Sequence, residues 1–136
     1  MKRQDALDQL TRHEGLKLKP YRDTVGKLTI GVGRNLDDVG ISIDEAMLML
    51  DNDFDTAEQE LQTRFPITRD MDGPRYYALV NMCFNLGVTR LAKFQKMWEA
   101  IGDDDWDRAA AEALDSKWAR QVGNRAQEIA EMLRRG

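Results

Sequence analysis

The stretch HEGLKLKPYRDTVGKLTIGVG, residues 13 to 33, decides the reading of this chain. It holds the only histidine beside a glutamate, then an aspartate, a threonine and four glycines in close succession. Just before it, residues 3 to 13 place Ala6, Leu7 and Leu10 on one face of a short helix with Gly15 as its stop signal, so Glu14 lies in or beside the last turn. From Tyr21 to Val32 the pattern changes to short β-prone runs around Val25-Gly26, which predicts a hairpin. Gly31 and Gly33 inside it suggest bends or close backbone approach.

Three polar side chains of this frame can do chemistry together. A carboxyl at the negative end of a helix holds a proton more readily, which suits it to donate one. Glu14 is therefore a candidate general acid. Asp23, on a hairpin open to water and rimmed by Lys19, Arg22 and Lys27, would stay ionised, and two carboxyls in opposed environments are the pattern for acid/base work on an acetal such as a glycosidic bond. Thr29 could hold a water against Asp23. The register decides this. A three-residue loop from Val25 to Lys27 sets Asp23 opposite Thr29 on one face, whereas a two-residue loop turns them to opposite faces.

Outward from the hairpin the chain becomes helical. Ser42-Ile-Asp-Glu45 is a capping-box signature. It opens a long helix in which Met47, Leu50, Phe54, Ala57 and Leu61 form an apolar stripe, stopped near Arg64 by Phe65-Pro66. Asp72-Gly73-Pro74 then starts a helix, apolar almost all round, that Gly87 ends near Leu86. Further helices are expected around 90 to 101, 104 to 114 and 123 to 135, with Trp98, Trp106 and Trp118 among them as packing residues. Cys83, alone in an apolar run, reads as a small core residue.

Composition narrows the class. With 136 residues, 42% hydrophobic and 32% charged, the chain makes one soluble domain or two small lobes, without a run long enough to cross a bilayer. The charged, amphipathic N-terminus is not that of an export peptide. The net charge of −4 argues against nucleic acid as partner, yet residues 1 to 36 carry eight Lys/Arg against four Asp/Glu, a local excess of +4 that can steer an anionic ligand.

Three motifs fail on inspection. His13-Glu14 starts like a zinc-protease motif, but Lys17 stands at the second ligand position. Gly31-Val-Gly33 lacks the third glycine and the βαβ unit of a dinucleotide site. Asp51-Asn-Asp53-Phe-Asp55 resembles a calcium loop without its glycine or its closing glutamate, and lies inside the long helix. No metal and no cofactor are called for.

Residues 14 to 33, EGLKLKPYRDTVGKLTIGVG, resemble the catalytic stretch of the phage-type, T4-like lysozymes, glycoside hydrolase family 24. ALVNMCFNLG at 78 to 87 resembles the family's central helix, and WDRAA at 106 to 110, SKW at 116 to 118 and NRA at 124 to 126 resemble its closing helices. The resemblance implies an α+β, mainly α, lysozyme-like fold in a single domain over 1–136. Its small hairpin lobe would span about 14–60, its helical lobe about 65–136 plus residues 1–13, with a long joining helix and an interlobe cleft. It also implies cleavage of the β-1,4 bond between N-acetylmuramic acid and N-acetylglucosamine with inversion, which needs a water held between the two carboxyls. Glu14 would be the proton donor, Asp23 the base or water positioner and Thr29 its helper, while Phe84 would line the cleft and Arg125 would face the glutamate.

Relative to that family the chain is shorter between Leu36 and Ile41. Arg34 replaces a histidine that pairs with an acid, and Met97 and Glu112 stand where polar substrate contacts are expected. The expectation is a monomeric phage or prophage endolysin, made in the host cytoplasm and released through a holin, that acts on peptidoglycan and neither inserts in the membrane nor binds nucleic acid. A lytic transglycosylase and a non-catalytic glycan-binding module are the alternatives; Asp23 and Thr29 speak against the first, and the full catalytic trio against the second.

Overall fold

The computed structural model describes residues 1–136 and divides them into two compact units, Met1–Leu48 and Met49–Gly136. The sequence reading groups residues 1–13 with the helical lobe and extends the small lobe to about 60. In the structure the first helix groups with the sheet, and the division falls inside the long helix. The reason is local: helix α1 (Arg3–Glu14) buries none of its side chains, and its Leu7 and Leu10 line a depression together with Val32 and Gly33.

In the first unit, Gly15 ends α1 at φ 79° with its N–H donating to the Thr11 carbonyl at 2.8 Å. Only glycine takes that conformation without strain, which is why the stop was readable. Strands β1 (Lys17–Arg22), β2 (Leu28–Gly31) and β3 (Arg34–Asn35) form one antiparallel sheet in that order. β1 begins before the expected hairpin. Pro20 has no N–H for the ladder, and the register shifts between Lys17 and Tyr21. β3 was not expected, because two residues carry no alternation; Gly31 and Gly33, at φ 70° and 72°, bend the chain back to make it.

Arg34 finds an acid after all. Its Nη1 donates to Glu45 Oε1 at 2.7 Å and to the Gly40 carbonyl at 3.1 Å. The capping box forms as read, with Ser42 N–H donating to Glu45 Oε1 at 2.8 Å and Glu45 N–H to Ser42 Oγ at 3.1 Å. The Arg34 hydrogen bond first, then those of Ser42, hold the Glu45 carboxyl down at about 2 against an ordinary value of 4.5. A carboxyl lowered on folding stabilises above pH 4.5 and loses that contribution as pH falls through 2. Wild type should therefore lose melting temperature over that interval faster than Glu45→Gln, the two converging at its acid end. Parallel curves would remove Glu45 from the linkage.

Helix α2 (Ile43–Arg64) ends at Phe65-Pro66, where a 3-10 turn, Pro66–Asp70, begins. Of its apolar stripe, Ala57 and Leu61 are buried and Phe54 is half-buried, while Met47 and Leu50 remain 55% and 45% exposed. Helix α3 (Gly73–Leu86) has Pro74 in its first turn and is the centre of the second unit, with Leu79, Val80, Met82 and Cys83 buried. Burial pushes the Cys83 thiol up to about 11, so it is an inert core residue.

The segment expected as one helix over 90 to 101 is two, α4 (Val88–Leu91) and α5 (Gln95–Gly102), separated by a turn. Helices α6 (Trp106–Leu114), α7 (Lys117–Val122) and α8 (Asn124–Arg135) complete the unit; α8 packs on α3 and α6, and α5 on α6. All three tryptophans pack. Trp118 donates to Asn85 Oδ1 at 2.7 Å, and Trp98 stacks on Phe65 at 3.8 Å. Trp106 lies 4.5 Å beneath the Arg75 guanidinium, which donates to the last carbonyls of α8 at Leu133 and Arg134. No helix is long and apolar enough to cross a membrane.

Candidate active site

Glu14 is the last residue of α1 and is exposed. Its carboxyl lies against the backbone of Gly33, so close that a Cβ there would stand 2.9 Å from Oε2 and 3.2 Å from Cδ. This is the close backbone approach that the hairpin glycines suggested. Leu7, Leu10 and Val32 border the same depression of about 380 Å³. Gly33→Ala adds a clash with the carboxyl to the strain of positive φ, which costs about 1–2 kcal/mol. It should lower both the melting temperature and any rate that depends on Glu14; unchanged values of both would show that the contact does not place the side chain.

Asp23 follows β1 at the neck of the hairpin. Its N–H donates to the Lys27 carbonyl at 2.9 Å, while its Oδ1 accepts from Val25 N–H at 3.0 Å and Lys27 N–H at 2.8 Å. The loop is thus Thr24 to Gly26, one residue earlier than Val25 to Lys27. Thr29 stands opposite Tyr21 and Leu28 opposite Arg22, which sets Asp23 across from Lys27 and not across from Thr29. The cause is the Asp23 carboxylate itself, which takes two N–H groups and closes the turn early. A shift of two positions keeps the face, because the side-chain period of a strand is two. Asp23 and Thr29 are therefore diagonal neighbours on one face.

Thr29 is 3% exposed, and its hydroxyl donates to the Lys27 carbonyl at 2.9 Å. Its proton is committed and only its lone pairs remain. Asp23 Oδ2 takes no hydrogen bond within the protein, and so remains an acceptor on the same hairpin face.

Phe84 and Arg125 belong to the second unit, where they border one largely apolar depression of about 470 Å³. Phe84 is 42% exposed, on the solvent side of a helix whose other side is buried. The Arg125 Nε and Nη2 both donate to Asn81 Oδ1, at 3.0 and 2.9 Å, which fixes the plane of the guanidinium. Sequence reasoning missed Asn81. The signal was there: Tyr77, Asn81 and Phe84 repeat at helical spacing along the one exposed side of α3. Met97 is fully buried and Glu112 half-buried, and both border a separate depression beside Lys93, Lys96 and Asp115. No three His, Cys, Asp or Glu side chains are grouped to hold a metal ion.

A small antiparallel sheet following a helix that ends in an exposed glutamate, with a helical remainder centred on one buried helix, defines a mainly helical, lysozyme-like α+β protein. The chain belongs to the phage lysozyme family, whose model matches residues 11–135. Lysozyme is accordingly its enzyme class.

Similarity to individual proteins agrees. The chain is 28% identical to the pre-baseplate central spike protein Gp5 of Enterobacteria phage T4, over 95% of its own length and 27% of that protein. It therefore spans about a quarter of that relative. It is 28% identical to "Probable T4-type lysozyme 2" of Dictyostelium discoideum, over 95% of this chain and 93% of that one. An endolysin of Acyrthosiphon pisum secondary endosymbiont phage 1 is 30% identical over 85% of this chain and 77% of its own.

Proposed function

We propose that the protein is a muramidase that hydrolyses the β-1,4 bond between N-acetylmuramic acid and N-acetylglucosamine in bacterial peptidoglycan. Glu14 protonates the departing sugar oxygen. The observation that carries the reading is the pairing, on one face of the hairpin, of the free Asp23 Oδ2 with a Thr29 hydroxyl whose proton is already given away. Between two acceptors, a water donates both its protons and is left with a lone pair to attack the anomeric carbon, while Asp23 receives the proton as the bond forms. Phe84 offers an apolar face to a sugar ring, and Arg125, its plane fixed by Asn81, offers the N–H groups that Asn81 does not take.

Attack by water on the side opposite the departing sugar inverts the anomeric centre. The first product should then be the α-anomer, read by NMR before mutarotation. A β-anomer would make Asp23 the nucleophile of a two-step reaction.

The name of the Acyrthosiphon-phage relative, an endolysin, supports a free endolysin; a monomeric state, synthesis in the host cytoplasm and release to the wall through a holin are part of the same proposal. Lysis of expressing cells only when a holin is supplied tests this. The likeness to the T4 spike protein supports a second setting, a lytic module on a virion, which detection of the chain in purified particles would select.

A further inference from the structure

We infer that Asp38 is a positioning residue for this reaction: it holds the Lys27 ammonium away from the Asp23 carboxylate and so keeps the base free. The inference rests on the reading of Asp23 given above. Lys27 stands across the hairpin neck from Asp23, and two residues in direct opposition project to the same face. The contact is closer still, since Lys27 N–H donates to Asp23 Oδ1 at 2.8 Å. The carboxylate therefore sits at the root of a flexible four-carbon stem that carries a positive charge. An ammonium folded back onto Asp23 would occupy the lone pairs a water needs and make the carboxylate a weaker base.

The structure shows the ammonium drawn elsewhere. Lys27 Nζ donates to Asp38 Oδ1 at 3.1 Å. Asp38 is in turn held at both ends by one side chain: Asn35 Nδ2 donates to its Oδ2 at 3.0 Å, and its own N–H donates to Asn35 Oδ1 at 3.0 Å. The other cation beside Asp23 is engaged in the same way. Arg22 Nη1 donates to the Gly26 carbonyl at 3.1 Å and lies 3.7 Å from Asp37 Oδ2, an oxygen that also accepts Leu28 N–H at 2.8 Å. Of the three cations that rim the hairpin, Arg22 and Lys27, the two nearest Asp23 in sequence, are thus tied to consecutive acids of one turn.

An exposed ion pair of this kind contributes little to stability. Its consequence is local, in deciding which carboxylate the ammonium meets. Asp38 first, then Asp37 and Asp23, raise the Lys27 ammonium above its ordinary value, so the side chain that Asp38 holds is charged.

The test is a cycle on Lys27 and Asp38, with kcat and KM for reducing-end release from purified peptidoglycan. Asp38→Asn should lower kcat about tenfold with KM little changed, from one new charge contact at the base. Lys27→Met should have wild-type kcat, and the double variant Lys27→Met/Asp38→Asn should return to within about twofold of it. A merely structural Asp38 predicts instead that the double variant stays as impaired as Asp38→Asn, and that result overturns the inference. So does full activity in Asp38→Asn, or a tenfold loss in Lys27→Met alone. Thermal unfolding identifies a variant that does not fold; Asp38→Ser then takes the place of Asp38→Asn. Asp23→Ala in the same assay separates the two levels, since wild-type rates there would remove Asp23 as the base whatever the cycle shows.

Discussion

Glu14→Gln leaves the protein folded and stops it from releasing peptidoglycan fragments. Glu14 is exposed at the end of α1, and the amide has the same shape as the acid, so the contact with Gly33 survives and the stability changes by about 0.5 kcal/mol or less. The chemistry does not survive. An amide has no proton acidic enough to give to a departing sugar oxygen, and loss of a general acid lowers the rate by about 10²–10⁴-fold or more. Circular dichroism melting and reducing-end release on the same sample check both halves. Wild-type rates in a folded variant would mean that the proton comes from another group.

The second large effect is expected at Asp23, where two substitutions separate two jobs. The side chain accepts Val25 and Lys27 N–H through Oδ1, and also presents Oδ2. Asp23→Ala removes both functions; the loop loses about 1 kcal/mol of hydrogen bonding and the rate falls by about 10²–10⁴-fold. Asp23→Asn keeps an acceptor for the loop and removes only the charge. Its melting temperature should match wild type while its rate matches the alanine variant. If Asn restores the rate that Ala loses, Asp23 is a loop staple and the water is activated elsewhere.

The parts of the fold that were legible in the sequence are those where one residue type has one physical use. Gly15 and Gly87 end helices at φ 79° and 83°, Pro74 opens one, and Ser42 with Glu45 caps another through reciprocal hydrogen bonds. The parts that were not legible depend on partners. The stripe along α2 marks positions that can face a core, but no core need be there, and Met47 and Leu50 stay exposed for that reason. Strand β3 is too short to have a pattern. The hairpin loop lies one residue earlier than the three-residue alternative open from the sequence, because the two hydrogen bonds to Asp23 Oδ1 are invisible to strand propensity.

The same division holds for the site. Glu14, Asp23 and Thr29 are candidates singled out by residue type, spacing and the family resemblance, and the last two share a face in the structure because the register differs by an even number from the one that pairs them directly. Gly33 was flagged only as a possible close approach, and the structure names what approaches it. Asn81 lies within the stretch ALVNMCFNLG, but its use becomes clear only when Arg125 arrives from a helix 44 positions along the chain. Arg34 shows the converse: a departure from the family's histidine that retains an acid partner in Glu45.

The most direct measurement is mass spectrometry of the fragments released from purified peptidoglycan by the wild-type protein, with Glu14→Gln alongside. Hydrolysis with Glu14 as acid predicts fragments with reducing N-acetylmuramic acid ends from the wild type and none from the variant. Anhydro-muramic ends would contradict the account, since no water would then be used and Asp23 and Thr29 would have nothing to position. Equal fragments from both proteins would contradict it at Glu14.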